Sequence, residues 1–109
     1  MREVDCNEYG CTVVLEGDVL DMKQRVVVLG KRGNALYDGE VSGDVRAIST
    51  GEDAVYLLYE GRVERLDTAT GERAERACTE GALDVHAVDD TRVRVAYAAQ
   101  AIYLNFEEE

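Results

Sequence analysis

The sequence predicts an all-β chain built from repeated three- to four-stranded antiparallel sheets. Three observations carry that prediction. Short apolar runs, some alternating and some continuous, are separated by turns that contain glycine, aspartate or asparagine. Several of these runs recur in the same order along the chain. No proline occurs among the 109 residues, so no strand interior is barred from its hydrogen-bond ladder.

The recurrence is centred on residues Asp44 to Arg73. Asp44-Val45-Arg46-Ala47-Ile48 returns as Asp84-Val85-His86-Ala87-Val88, followed in each case by an acidic turn (Gly51-Glu52-Asp53, then Asp89-Asp90). Val55-Tyr56-Leu57-Leu58-Tyr59 then aligns with Val93-Arg94-Val95-Ala96-Tyr97, and Val63, Leu66 and Asp67 align with Ala101, Leu104 and Asn105. Upstream, Val26-Val27-Val28-Leu29 aligns with Val55–Leu58, which pairs Asp38 with Asp67. Asp18-Val19-Leu20-Asp21-Met22 is a fainter copy of the first run.

Each run reads as a strand. Ala54–Tyr59 is apolar at both parities and therefore predicts burial on both faces, and Arg25–Leu29 reads similarly. In Arg92–Ala98, Val93, Val95 and Tyr97 alternate with Arg92, Arg94 and Ala96, as expected where a stack ends in water. Turns are expected at Lys31–Asn34, Asp38-Gly39, Ser42-Gly43, Glu60-Gly61 and Asp67–Gly71. Glu72–Cys78 has helical propensity and an i,i+4 Glu72/Arg76 pair, but its place in the repeat assigns it to an outer strand.

Units of about thirty to forty residues with three or four strands describe the blades of a β-propeller. Residues 1–109 read as a single β-repeat domain holding about two and a half such units, short of the four that close a ring. The expectation is a partial β-propeller. Completion would come from a longer chain, from association of copies, or from curling into a sandwich-like stack. Val13-Val14-Leu15 and Ile102–Phe106 are expected to be adhesive edges, the second blunted by the glutamates that follow it.

Composition narrows the partners. With 23 acidic against 12 basic residues and a net charge of −11, the chain would repel nucleic acid and anionic membrane over most of its surface, which leaves basic or neutral protein surfaces. Ala54–Tyr59 is the longest apolar run and falls far short of the roughly 20 residues of a spanning helix. The opening MREVDCNEYG has no basic segment leading into an apolar one, so no export signal is expected within it. Of Cys6, Cys11 and Cys78 at least one must remain a thiol; the three read as small half-buried thiols, or as a Cys6–Cys11 loop with Cys78 left over.

Leu66-Asp67-Thr68-Ala69-Thr70-Gly71-Glu72 resembles the turn signature of quinoprotein-like (PQQ-type) β-propeller repeats, in which an Asp and then Thr-Gly sit between the third and fourth strands of a blade. The arrangement from about Gln24 to Phe106 also looks like the C-terminal blades of Gram-positive cell-surface propeller proteins, which implies an extracytoplasmic setting. The tryptophan that usually follows Thr-Gly is absent, and Glu75 and Arg76 stand there. The resemblance therefore implies a fold, and implies neither quinone binding nor redox activity.

The candidate chemistry is thin. His86, the one histidine, reads as a solvent-facing strand residue in the place of Arg46. Ser42 and Ser49 lack a nucleophile-elbow context and a neighbouring histidine. Glu52-Asp53 and Asp89-Asp90 would gather carboxylates on one rim if the units stack, but no Ca²⁺-loop pattern accompanies them and they read as solvated turn acids. Tyr37, Tyr56, Tyr59, Tyr97 and Tyr103 read as packing between units. No catalytic, cofactor-binding or metal-binding residue and no cofactor is assigned. The expectation is a non-enzymatic scaffold or protein-binding module, joined to a partner or to itself through loop rims or exposed edge strands. The alternative is a small-ligand or quinone-binding enzyme fragment of the quinoprotein type.

Overall fold

The computed structural model describes residues 3–16, 24–41, 45–89 and 91–106. Within them the chain is all-β, with eleven strands and no helix, in three antiparallel sheets. The first sheet holds β1 (Glu3–Asn7), β2 (Gly10–Glu16), β3 (Gln24–Leu29) and β4 (Ala35–Val41), paired in that order. The middle sheet holds β5 (Ala47–Thr50), β6 (Ala54–Tyr59), β7 (Arg62–Asp67) and β8 (Arg73–Ala77), again in chain order. The last sheet is β9 (Asp84–Ala87), β10 (Arg92–Ala96) and β11 (Ala101–Asn105). The sheets lie in succession: β1 touches β5, and β5 touches β9.

The middle sheet is covered on both faces. Every residue of β6 is buried, as its doubly apolar pattern requires. Val55, Leu57 and Tyr59 join Val14, Val26 and Val28 of the first sheet in one core. Tyr56 and Leu58 join Val85, Val93 and Val95 of the last sheet in a second. The rings of Tyr56 and Phe106 meet in that second core, tilted 54° with centroids 5.5 Å apart. A fully buried side chain of this size contributes about 1.5–3 kcal/mol through its burial, so the two cores are what hold the sheets face to face.

Polar groups add bonds within the middle sheet and between it and the first. The buried Tyr59 hydroxyl donates to Glu64 Oε1 over 3.2 Å, and the Arg62 guanidinium lies 4.2 Å from the Tyr59 ring centroid. Burial, with the Glu64 carboxylate beside it, pushes the Tyr59 phenol above its ordinary value. Arg73 of β8 donates to the Tyr37 hydroxyl and, over 3.1 Å, to the carbonyl of Glu40 in β4.

Several expectations hold. Residues 73–77 of the ambiguous segment are strand β8. In the Asp67–Gly71 turn the Asp67 carboxylate accepts the N–H of Ala69 at 2.8 Å and of Thr70 at 3.1 Å, and Gly71 takes φ +78°. Partial desolvation raises the Asp67 carboxyl, but the Thr70 and Ala69 N–H groups outweigh it and leave it below the usual value. In β10, Val93 and Val95 are buried while Arg92 and Arg94 face solvent.

Others are corrected. Register places Ile48 opposite Leu57 and Val85 opposite Val95, so with Leu57 matched to Val95 the counterpart of Val85 is Ile48 rather than Val45. The Asp-Val dipeptide precedes one strand and lies inside the other, and His86 corresponds to Ser49, not Arg46. Val26–Leu29 belongs to a third strand and Val55–Leu58 to a second, because an apolar run carries no mark of its rank in a meander. Asp38-Gly39 is not a turn but lies within β4; the Tyr37 hydroxyl sits 2.6 Å from where a Gly39 Cβ would be, so the glycine makes room for that ring. Val27 and Leu29 are only half-buried, since among the described residues nothing covers that face of the first sheet. Val13-Val14-Leu15 lies in β2, an interior strand, and is no edge, whereas Ile102–Asn105 lies in the edge strand β11. Tyr103, 65% exposed, packs against neither core. Asp18–Met22, Ser42-Gly43, Asp44, Asp90 and the glutamates after Phe106 fall outside the described residues.

Candidate functional site

The first strands β1, β5 and β9 run side by side along one side of the molecule, and a groove opens where their ends meet. One wall is the β1–β2 hairpin. Asn7 pairs with Gly10 and leaves Glu8-Tyr9 at the tip, where the Tyr9 N–H donates to Asn7 Oδ1 over 2.8 Å. The Asn7 side-chain amide donates to the Thr50 carbonyl over 2.7 Å, which pins the hairpin onto β5. Cys6 and Cys11 face each other across the same hairpin and form a disulfide, with Cα atoms 4.1 Å apart. This settles the reading of the three cysteines as thiols in favour of the Cys6–Cys11 loop. Cys78 is the free thiol, half-buried on the far side of the middle sheet.

The opposite wall is β9. The Ala87 N–H donates to Ser49 Oγ over 2.8 Å, joining the middle and last sheets at the groove. The Tyr56 hydroxyl reaches the Asp89 carbonyl at 3.3 Å. Two connected lobes result. A lobe of about 240 Å³ is bounded by Tyr9, Glu52, Tyr56, Val88 and Asp89. A wider one of about 430 Å³ runs past Asp5, Glu8, Ser49, Asp84 and His86. Tyr9 and Ala87 line both.

The lining is acidic. Asp5, Glu8, Glu52, Asp84 and Asp89 border the two lobes, and among the described lining residues there is no lysine or arginine. Three of these carboxylates have structural duties. Asp84 Oδ1 accepts the Val85 N–H at 2.9 Å. Asp5 Oδ2 accepts the Thr50 N–H at 2.8 Å. Asp89 accepts the N–H of Thr91 at 3.0 Å and of Arg92 at 2.9 Å, as well as the Arg92 side chain, and these bonds pull its carboxyl down to about 2. Glu8 and Glu52 stand exposed on the rim. Between them, the exposed faces of Tyr9 and Val88 give the groove an apolar strip.

The structure thus brings Glu52 and Asp89 to one rim, as stacking of equivalent turns implies. It also brings His86 and Ser49 into one lobe, which sequence proximity does not suggest. Ser49 Oγ is engaged by the Ala87 N–H, and no hydrogen bond links it to His86 among the described residues. No group of three or more His, Cys, Asp or Glu is placed to hold a metal among the described residues. The part that Tyr9 and Asn7 play at the hairpin tip was missed from sequence. Its signal was the Cys6-Asn7-Glu8-Tyr9-Gly10-Cys11 spacing, which sets two cysteines directly opposite across a two-residue turn. Comparisons with protein-family models, with curated proteins and with solved structures return no match.

Proposed function

We propose that this chain is a non-enzymatic, protein-binding module of the β-propeller type, a segment of about three blades that holds a basic stretch of a partner protein in the groove beside β1, β5 and β9. Support for the propeller reading comes from the chain-order meanders and from first strands that lie next to one another, the place of the innermost strand in a blade. The observation that carries the binding reading is the lining itself: an apolar strip flanked by carboxylates, with no lysine or arginine among the described lining residues. A lysine or arginine side chain can lay its methylenes on Tyr9 and Val88 while its charge meets Glu52 and Glu8. The net charge of −11 would steer such a partner inward and keep polyanions away. The Cys6–Cys11 disulfide supports an oxidising compartment as the setting.

Calorimetric titration with a short peptide of alternating lysine and leucine tests this. Binding should weaken about fivefold or more in Glu52→Lys and in Tyr9→Ala, and should fall with added salt. Equal affinity for a matched glutamate–leucine peptide, or no loss in either variant, would rule the groove out.

A further inference from the structure

The first two sheets each end in a fourth strand, β4 beside β3 and β8 beside β7. Among the described residues the last sheet stops at its third, β11. Two bonds fix the hydrogen-bond phase of the β10–β11 hairpin. The Phe106 N–H donates to the Thr91 carbonyl at 2.6 Å, and the Tyr97 N–H to the Gln100 carbonyl at 2.7 Å. Every second pair of the register between them bonds likewise, so Ile102 and Leu104 are the residues that bond to β10. The N–H and C=O groups of Ala101 and Tyr103 therefore point away from the sheet, at its open edge.

Side chains beside that edge are incompletely covered. Ile102 and Leu104 face the second core but are only half-buried. Their counterparts by register in β7, Glu64 and Leu66, are 6% and 0% exposed with β8 alongside. Ala74 and Cys78 of β8 pack on the second core and are half-buried too. Between them, Arg76 Nε donates to the Asn105 carbonyl over 3.1 Å, which sets β8 beneath the edge of β11. The result is a slot one strand wide, with that edge as its wall and the small side chains of β8 as its floor. We infer that the slot takes an extended segment of a partner protein, added antiparallel to β11 as a fourth strand.

The slot decides what kind of strand fits. A second copy cannot offer its own β11, because the middle sheet underlying that strand would collide with β8 of the first copy. The occupant is a lone strand. Its hydrogen-bonded residues oppose Ala101 and Tyr103, and those alternating with them lie beside Ile102 and Leu104. The alternating residues point inward over Ala74 and Cys78, a pleated apolar position that suits valine. The hydrogen-bonded ones point outward, on the side of Arg92 and Arg94, where lysine is repelled. A carboxylate would instead meet the chain's net charge of −11, so an uncharged residue such as threonine fits best. The segment thus differs from the basic stretch assigned to the groove, and the slot and the groove share no residue.

Amide chemical-shift titration of the full chain with a short, end-capped peptide of alternating threonine and valine tests this. The Ala101 and Tyr103 amides should shift, and should exchange with solvent about tenfold more slowly at saturation. Tyr103→Pro deletes an outward N–H while keeping the bonds to β10, and should weaken binding about tenfold or more. If a thermal melt shows that variant unfolded, Ala101→Pro, at the first residue of β11, takes its place. The peptide N-methylated at its threonines, whose N–H groups face β11, should not bind. N-methylation at its valines should leave affinity within about threefold. Glu52→Lys and Tyr9→Ala should bind the peptide like the wild type, and the lysine–leucine peptide should not displace it. Unmoved Ala101 and Tyr103 amides, full affinity in the proline variant, or equal affinity of the two N-methylated peptides would each overturn the proposal. So would loss of binding in Glu52→Lys or Tyr9→Ala, displacement by the lysine–leucine peptide, or a wild-type dimer that Tyr103→Pro abolishes.

Discussion

The hydroxyls of Thr12 and Thr50 lie 2.8 Å apart in the buried seam between the first and middle sheets. Thr50 Oγ1 also donates to the Asp5 carbonyl at 3.2 Å, so in this pair Thr12 is the donor and Thr50 the acceptor. The two threonines are therefore unequal. Thr12→Val removes one hydrogen bond and leaves Thr50 joined to Asp5, a loss of about 1 kcal/mol. Thr50→Val deprives both Thr12 and Asp5 of their partner and should cost about 2–3 kcal/mol. Urea denaturation of the two variants gives the comparison; a Thr12→Val loss equal to or larger than that of Thr50→Val contradicts the assignment.

The Cys6–Cys11 bridge closes a loop of about six residues, for which the chain-entropy model gives about 2 kcal/mol of stabilisation. Because Asn7, Glu8 and Tyr9 lie inside that loop, reduction should also loosen the groove wall. A Cys6→Ser/Cys11→Ser double variant should show a lower urea midpoint and weaker peptide binding. Unchanged values for both would mean that the Asn7–Thr50 bond alone fixes the hairpin.

Gly10 holds φ +143°, and a Cβ there would come within 2.1 Å of the Leu29 carbonyl oxygen. The obstacle is backbone, so β2 and β3 would have to separate. Gly10→Ala should destabilise the fold by more than about 2 kcal/mol. Gly71→Ala, at φ +78° with open space around it, should cost about 1 kcal/mol. Chemical denaturation that ranks the two in the opposite order would contradict the pairing of β2 with β3 in this register.

Asp89 supplies a pH dependence. Its folded value, about 2, lies below the ordinary 3.8, through the Thr91 N–H first and the Arg92 side chain next. A carboxyl depressed on folding stabilises the native state above about pH 4, and that contribution disappears as pH falls towards about 2. Asp38, held low by the Arg25 side chain, acts in the same sense. Thermal melts between about pH 6 and pH 2 should show the wild type losing its advantage over Asp89→Asn in that acid range. A constant difference between the two proteins would exclude Asp89 as the source of the acid sensitivity.

Much of the fold was legible because burial on two faces leaves an unmistakable run, as in Ala54–Tyr59, and because Asp67 and Gly71 can satisfy only one kind of turn. Rank within a sheet was not legible. Val26–Leu29 and Val55–Leu58 look alike, and only pairing separates a second strand from a third. Gly39 carries the residue type of a turn but serves a packing need set by Tyr37, two residues away on the same face. Tyr103 matches the other strand tyrosines in pattern and differs in that, among the described residues, no sheet lies against its side, which no local sequence encodes. The groove was the least visible part. Its residues come from three strand ends that meet only when the sheets stack, so Tyr9, Ser49 and His86 share no spacing that could announce them.

The functional reading stands or falls with the groove beside β1, β5 and β9 as the place where a basic partner sits. Amide chemical-shift mapping during titration with the lysine–leucine peptide tests it most directly. Perturbations should cluster at Glu8, Tyr9, Gly51, Glu52, Ala87 and Val88, with β4, β8 and β11 unmoved. Shifts centred on those outer strands, or spread evenly over the acidic surface, would contradict it.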